Sequence, residues 1–238
     1  MKTYIYADKF FLKSAVHGAG YLEIIDGKFG DIVNEVPEDA EVTDYSGQWI
    51  APGLVDTHIH GFMNHDVMDN DAEGIKAMSE GLLSCGVTSF LPTTLTSSKE
   101  RLRDVAETIG QVKDSVTGAK IQGIYFEGPF FTEEHKGAQN PIYFGDPDID
   151  TFHEWQEASV FVHAYNGMRG LNHREPGMVG ALLSLKEVFS ELICDGHHVH
   201  PQAAEILMEK AGHDHVALIT DCMMAGGMPD GDYILGEF

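Results

Sequence analysis

Five times in this chain a short apolar run, strand-like in length and composition, breaks off at a histidine or a carboxylate. Ile50–His60 (Ile-Ala-Pro-Gly-Leu-Val-Asp-Thr-His-Ile-His) supplies Leu54 and Val55 as strand core and then His58 and His60. Residues i and i+2 of a strand share a face, so the two imidazoles point the same way and can bind one metal ion. Lys120–Phe126 ends at Glu127, Val160–Val162 at His163, and Val216–Ile219 at Thr220 and Asp221. Glu191–Cys194 runs into the turn that carries Asp195 and His198. Each case alone has an ordinary explanation, such as a core histidine or a turn-capping carboxylate. As a set they put potential ligands and acids at the C-terminal ends of strands, where a parallel β/α barrel assembles its active site.

Helical patterns separate these runs. Ile75, Met78, Leu82 and Leu83 recur at helical spacing with Gly86 beyond them, and a strand is expected over Val87–Leu91. Ser97-Ser98 opens a helix whose one face carries Leu102, Val105, Ile109 and Val112. Pro176–Val188 and Pro201–Ala211 read as two more, the second with Pro in its first turn and Gly212 after its end. Alternating strands and helices predict an α/β fold with parallel strands, a TIM-type (β/α) barrel, over residues 51–238. The first fifty residues differ: alternating or apolar stretches at 3–12 and 21–33, with Asp26-Gly27 as a hairpin turn, predict a small antiparallel β domain over 1–50.

The 38 acidic against 15 basic side chains give a net charge of −23, which repels nucleic acid and anionic membranes. An anionic small molecule must therefore be held by local cations or helix N-termini. Cys85, Cys194 and Cys222 are odd in number and far apart, which argues against a disulfide framework and for a reducing compartment. No run approaches eighteen apolar residues, and the charged N-terminus does not read as a signal peptide. A soluble, cytoplasmic protein is expected.

Pro-Gly-Leu-Val-Asp-Thr-His-Ile-His-Gly at 52–61 resembles the opening strand of the amidohydrolase superfamily. Phe90–Thr94, Glu127-Gly-Pro-Phe, Lys136-Gly-Ala-Gln, His163-Ala-Tyr-Asn-Gly-Met, Asn172-His-Arg-Glu-Pro-Gly, Asp195-Gly-His-His-Val-His-Pro and Thr220-Asp221 resemble, in order, the N-acetylglucosamine-6-phosphate deacetylases within it. The resemblance implies hydrolysis of the acetamide of N-acetyl-D-glucosamine 6-phosphate in amino-sugar catabolism. Amide hydrolysis wants a Lewis acid on the carbonyl, an activated water and a group that moves a proton to the amine. By resemblance, His58, His60 and Glu127 form one metal site, and Glu127 is shared with a second that includes His163. Asp221 is general base and then acid. His198 holds the substrate and polarises its acetyl carbonyl, while Ala138, Gln139, Asn166 and Gly167 contact sugar and phosphate. Arg174 grips the 6-phosphate, in the site of a neighbouring subunit of a homodimer; a guanidinium suits bidentate phosphate binding. The N/O ligand set fits a first-row divalent ion, zinc before iron, manganese or cobalt.

The chain also departs from that family. Only 36 residues separate Glu127 from His163. In the family that interval holds two further strand–helix units and a Gly-His motif whose histidine binds metal. Here Phe152–Ala158, read as helix, runs straight into Ser159-Val-Phe-Val-His without a capping Gly, Asn or Pro. Six barrel strands are therefore expected instead of eight, with a single tight metal site and weak activity. An inactive remnant of the family that still binds metal is one alternative, and another amidohydrolase such as a cyclic amidase is the other.

Overall fold

The computed structural model describes residues 2–12, 15–128, 137, 139–144, 160–168, 170–174, 177–184 and 189–235. The chain divides into two compact units, Met1–Gly53 and Leu54–Phe238. The expected helix over 152–158, the ends of the one over Pro176–Val188, and Ala138 lie outside the described residues.

In the first unit β1 (Lys2–Phe11) is central, paired with β2 (Val16–His17), β3 (Gly20–Ile25) and, in parallel, β5 (Val42–Ile50), while β3 also pairs with β4 (Lys28–Val33). The β3–β4 hairpin turns at Asp26 and Gly27, both with positive φ (49° and 75°), the backbone that an Asp-Gly type I′ turn requires. Tyr4, Ala7, Phe10 and Leu22 are buried between the strands. β5 has no apolar alternation and is exposed along nearly its whole length; its backbone ladder with β1, not a buried face, makes it a strand.

The second unit begins with β6 (Leu54–Ile59) and a tight hairpin of β7 (Gly61–Phe62) and β8 (His65–Asp66). Next come α1 (Ala72–Leu82), β9 (Val87–Thr94) and α2 (Lys99–Val112). Asp71 caps the first helix by accepting from the Glu73 N–H, and Ser98 caps the second by accepting from Arg101. The expected strand at 120–126 is two short pieces, β10 (Lys120–Ile121) and β11 (Tyr125–Phe126), both parallel to β9. β12 (Val160–Phe161), α3 (Gly177–Ser184), β13 (Phe189–Ile193), α4 (Pro201–Ala211) and β14 (Val216–Ile219) complete it.

Outside the β7–β8 hairpin every ladder of this unit is parallel: β6 with β9, β12 with β13 and β13 with β14, besides the two already given. The two groups meet where β14 runs into β6. Ile59 bridges to Cys222, the Asp221 N–H donates to the His58 carbonyl at 2.9 Å, and the His60 N–H donates to the Cys222 carbonyl at 2.8 Å. The strand order is thus β11–β9–β6–β14–β13–β12, with the first and last strands of the unit side by side in its middle. Ile75, Met78 and Leu82 of α1 and Val105, Ile109 and Val112 of α2 share one core with Phe90 and Ile121. Leu182 of α3 and Ala204 and Leu207 of α4 share another with Leu192. No helix among the described residues is long and apolar enough to cross a membrane.

Phe90 is fully buried whereas Phe29 is 78% exposed. Phe90→Ala should therefore lower unfolding free energy by about 3–5 kcal/mol and Phe29→Ala by about 0.5 kcal/mol or less, read from urea titrations. Equal effects would contradict this placement of the core.

Candidate metal centre

The expected pairing of His58 and His60 holds. His58 lies in β6 and His60 just past its end, on one face, and both are buried. Their Nε2 atoms are 3.2 Å apart. Behind them each ring meets an acceptor through Nδ1: Glu191 Oε2 at 2.9 Å for His58 and the Thr93 carbonyl at 3.2 Å for His60. His163, just past β12, does the same with the Asn166 carbonyl at 3.1 Å. A carboxylate or carbonyl only accepts, so Nδ1 carries the hydrogen in all three rings and Nε2 is the nitrogen turned inward. Gly61 lets the chain turn directly after His60, since a Cβ there would stand 2.4 Å from the His65 carbonyl oxygen.

Two carboxylates face these nitrogens. Glu127, just past β11, has Oε2 at 3.2 Å from His60 Nε2 and Oε1 at 3.3 Å from His163 Nε2. Asp221, just past β14, has Oδ1 at 3.3 Å from His60 Nε2 and 3.4 Å from His58 Nε2. Both are held from behind. The Gln139 side-chain amide donates to Glu127 Oε2 at 2.7 Å, and its own carbonyl accepts from the Thr96 N–H at 2.7 Å. Buried Asp56 accepts from the Thr220 hydroxyl at 2.6 Å, the Thr220 N–H at 3.3 Å and the His58 N–H at 3.2 Å, fastening β14 to β6. Asp221 and His163 both have positive φ (53° and 29°), a conformation that a residue with a Cβ keeps only under such constraint.

The charge balance explains the titration behaviour. Burial pushes the His60 imidazole down, but hydrogen bonds to Asp221 and Glu127 outweigh burial and lift its pKa to about 10. His163 is likewise lowered by burial and raised, on balance, by Glu127. Burial raises the Glu127 carboxyl, yet His163 and His60 hold it well below the usual carboxylate range; Asp221 is also depressed, by His60 and His58 acting against burial. The site therefore collects positive charge. It also fits a divalent metal ion: one nitrogen each of His58 and His60 and an Asp221 oxygen lie within 4.8 Å of one another. Two facing lone pairs at 3.2 Å repel unless a proton or a cation sits between them.

Glu127, His163 and Asp221 line a cavity of about 590 Å³ together with His60, Gln139, Asn166, Gly167 and His198. His198 lies five residues past the end of β13, not at a strand end; it is exposed and its Nδ1 meets Asp195 Oδ2 at 2.7 Å. Arg174 is exposed and forms no part of the cavity wall. Sequence reasoning missed Glu191, Asp56 and Thr93. The signal for Glu191 was available, a carboxylate in the middle of the short buried strand Phe-Ser-Glu-Leu-Ile.

Imidazoles and carboxylates gathered at the C-terminal ends of parallel β/α strands make a site that could hold a metal ion, at the end where β/α barrels place their active sites. Residues 49–231 match the Amidohydrolase family, and the chain belongs to it. An N-acetylglucosamine-6-phosphate deacetylase of Vibrio furnissii is 35% identical over 241 residues, which cover 79% of this chain and 60% of that protein. An N-acetylgalactosamine-6-phosphate deacetylase of Escherichia coli is 34% identical, covering 90% of this chain and 70% of its own length. Among solved structures, an N-acetyl-D-glucosamine-6-phosphate deacetylase variant from Mycobacterium smegmatis in complex with N-acetyl-D-glucosamine-6-phosphate superposes with a TM-score of 0.85 at 25% identity, over 99% of this chain and 74% of that one. The chain thus spans 60% to 74% of the length of these relatives.

The raised pKa of His60 carries a sign. Stability linked to it is fully present below its unfolded value of 6.5 and is lost as pH rises through about 10. Thermal melts of protein kept metal-free with a chelator should show a midpoint that falls across that window, and His60→Asn should flatten the fall. A pH-independent midpoint in the unsubstituted protein would contradict the charge balance described.

Proposed function

We propose that this chain hydrolyses the acetamide of N-acetyl-D-glucosamine 6-phosphate to D-glucosamine 6-phosphate and acetate. The observation that carries the proposal is the convergence of three imidazole Nε2 atoms and two carboxylates, of which His60, His163, Glu127 and Asp221 line a cavity large enough for a phosphorylated hexosamine. His58, His60 and Glu127 would hold a divalent ion, zinc before iron, manganese or cobalt, with Glu127 and His163 offering a second, two-residue position. When bound, such an ion supplies Lewis acidity toward the acetyl carbonyl and a lowered pKa for water.

The remaining roles fall to the chain itself. Asp221, kept ionised by its imidazole neighbours, takes the proton of the attacking water and returns it to the nitrogen of the leaving amine. His198, which lines the cavity while Asp195 holds its Nδ1, contacts the acetyl oxygen. Gln139, Asn166, Gly167 and Ala138 contact the sugar and phosphate. Arg174 faces outward and serves the 6-phosphate across a homodimer interface, supplying locally the positive charge that a net −23 chain lacks. The barrel is read as a shortened one, with β12 and β11 as the strands that flank the shortened interval.

Three expectations test this. Acetate release should be measured with N-acetylglucosamine 6-phosphate and with its galactosamine epimer, because one relative is named for that sugar, and ring opening should be measured with a cyclic imide. Turnover of an amino-sugar phosphate and not of the imide supports the proposal. Loss of all three activities in protein that still binds metal would favour the inactive remnant. In an active chain, Asp221→Asn should cut kcat by about 100-fold or more, since the amide cannot accept the proton. Arg174→Ala should raise KM for the phosphorylated sugar about tenfold and leave that for the unphosphorylated sugar nearly unchanged.

A further inference from the structure

Of the three inward-facing imidazoles, two give their Nδ1 hydrogen to a neutral backbone carbonyl, Thr93 for His60 and Asn166 for His163. His58 alone gives it to a carboxylate. That carboxylate, Glu191, is 133 residues away in sequence and only 2% exposed. Its Oε2 stands 2.9 Å from His58 Nδ1, and its Oε1 accepts from the Thr57 hydroxyl at 3.3 Å. Among the described residues no lysine or arginine forms an ion pair with it; His58 is its only basic partner. A buried carboxylate without a counter-charge is costly, so a strand that keeps one wants positive charge nearby. The imidazole conducts that demand: a cation on Nε2 makes Nδ1–H a stronger donor, and the carboxylate behind it makes Nε2 a stronger ligand.

We propose that Glu191 is a positioning residue for the metal centre, fixing the tautomer and ring orientation of His58 and strengthening its Nε2 as a metal ligand. Glu191 touches neither the cavity nor the reacting groups; it acts through His58. Thr57, the residue before His58, supports it by holding the second carboxylate oxygen. This role rests on the proposed metal centre and adds a determinant to it from β13, a strand that contributes no ligand of its own.

The test is the affinity of the whole chain for Zn2+, measured by competition with a chromophoric chelator, alongside the thermal midpoint of the metal-free protein. Glu191→Gln keeps the acceptor and the volume but removes the charge. It should weaken Zn2+ binding by about 10–100-fold. The metal-free midpoint should stay the same or rise, because an uncompensated buried charge has gone. Thr57→Val should weaken binding by a few-fold, between the two. A purely structural role would do the reverse, lowering the metal-free midpoint while the folded protein binds Zn2+ as before. Affinity of E191Q within about twofold of the unsubstituted chain would overturn the proposal. Should E191Q fail to fold, unchanged affinity in T57V would overturn it equally. Failure of the unsubstituted chain to bind Zn2+ would instead sink the metal centre, a different result from the loss of Glu191's role within it.

Discussion

Three imidazole rings aim the same nitrogen at one region because an acceptor behind each ring holds the other nitrogen's hydrogen. Remove those acceptors and each histidine could present Nδ1 or Nε2, in either ring flip, and the Nε2 atoms would no longer converge. The acceptors come from β13, from the end of β9 and from the turn after β12. The centre is therefore specified by its surroundings as much as by its ligands. Ligand types alone would not distinguish it from any cluster of histidines and acids.

The junction of β14 with β6 carries the same logic into the backbone. Residues from opposite ends of the second unit meet there, and Asp56 ties them with three hydrogen bonds, two to Thr220 and one to the His58 N–H. Its carboxyl is pushed up by burial, against the hydrogen bonds it accepts from Thr220 and His58. The same contact puts Asp221 beside His58 and His60 in a left-handed conformation. Parallel pairing makes this possible, since every strand then delivers its C-terminal end to one side of the sheet.

Much of this was legible in the sequence, and for identifiable reasons. Period two along β6 predicted that His58 and His60 share a face, and strand-ending residues predicted the approach of Glu127, His163 and Asp221. Capping and turn chemistry marked Ser98, Asp26-Gly27 and Pro201. What escaped were relations between distant segments. Glu191 with His58 and Asp56 with Thr220 span 133 and 164 residues, and nothing local to either partner names the other. Gln139, expected only against substrate, also braces Glu127 and Thr96. β5 escaped because its strand character comes from pairing with β1 and not from an apolar face. The division between units, placed after residue 50 in the sequence, falls after Gly53 in the structure.

The central claim is that the inward Nε2 atoms, selected by their rear hydrogen bonds, are the metal-binding atoms. Anomalous scattering from crystals soaked in Zn2+ tests it most directly. A peak is expected about 2.0–2.1 Å from the Nε2 atoms of both His58 and His60, with the Nδ1 contacts to Glu191 and Thr93 intact. A peak bound through Nδ1, or one that leaves these two histidines unligated while zinc occupies the surface around His197 and His200, would contradict it.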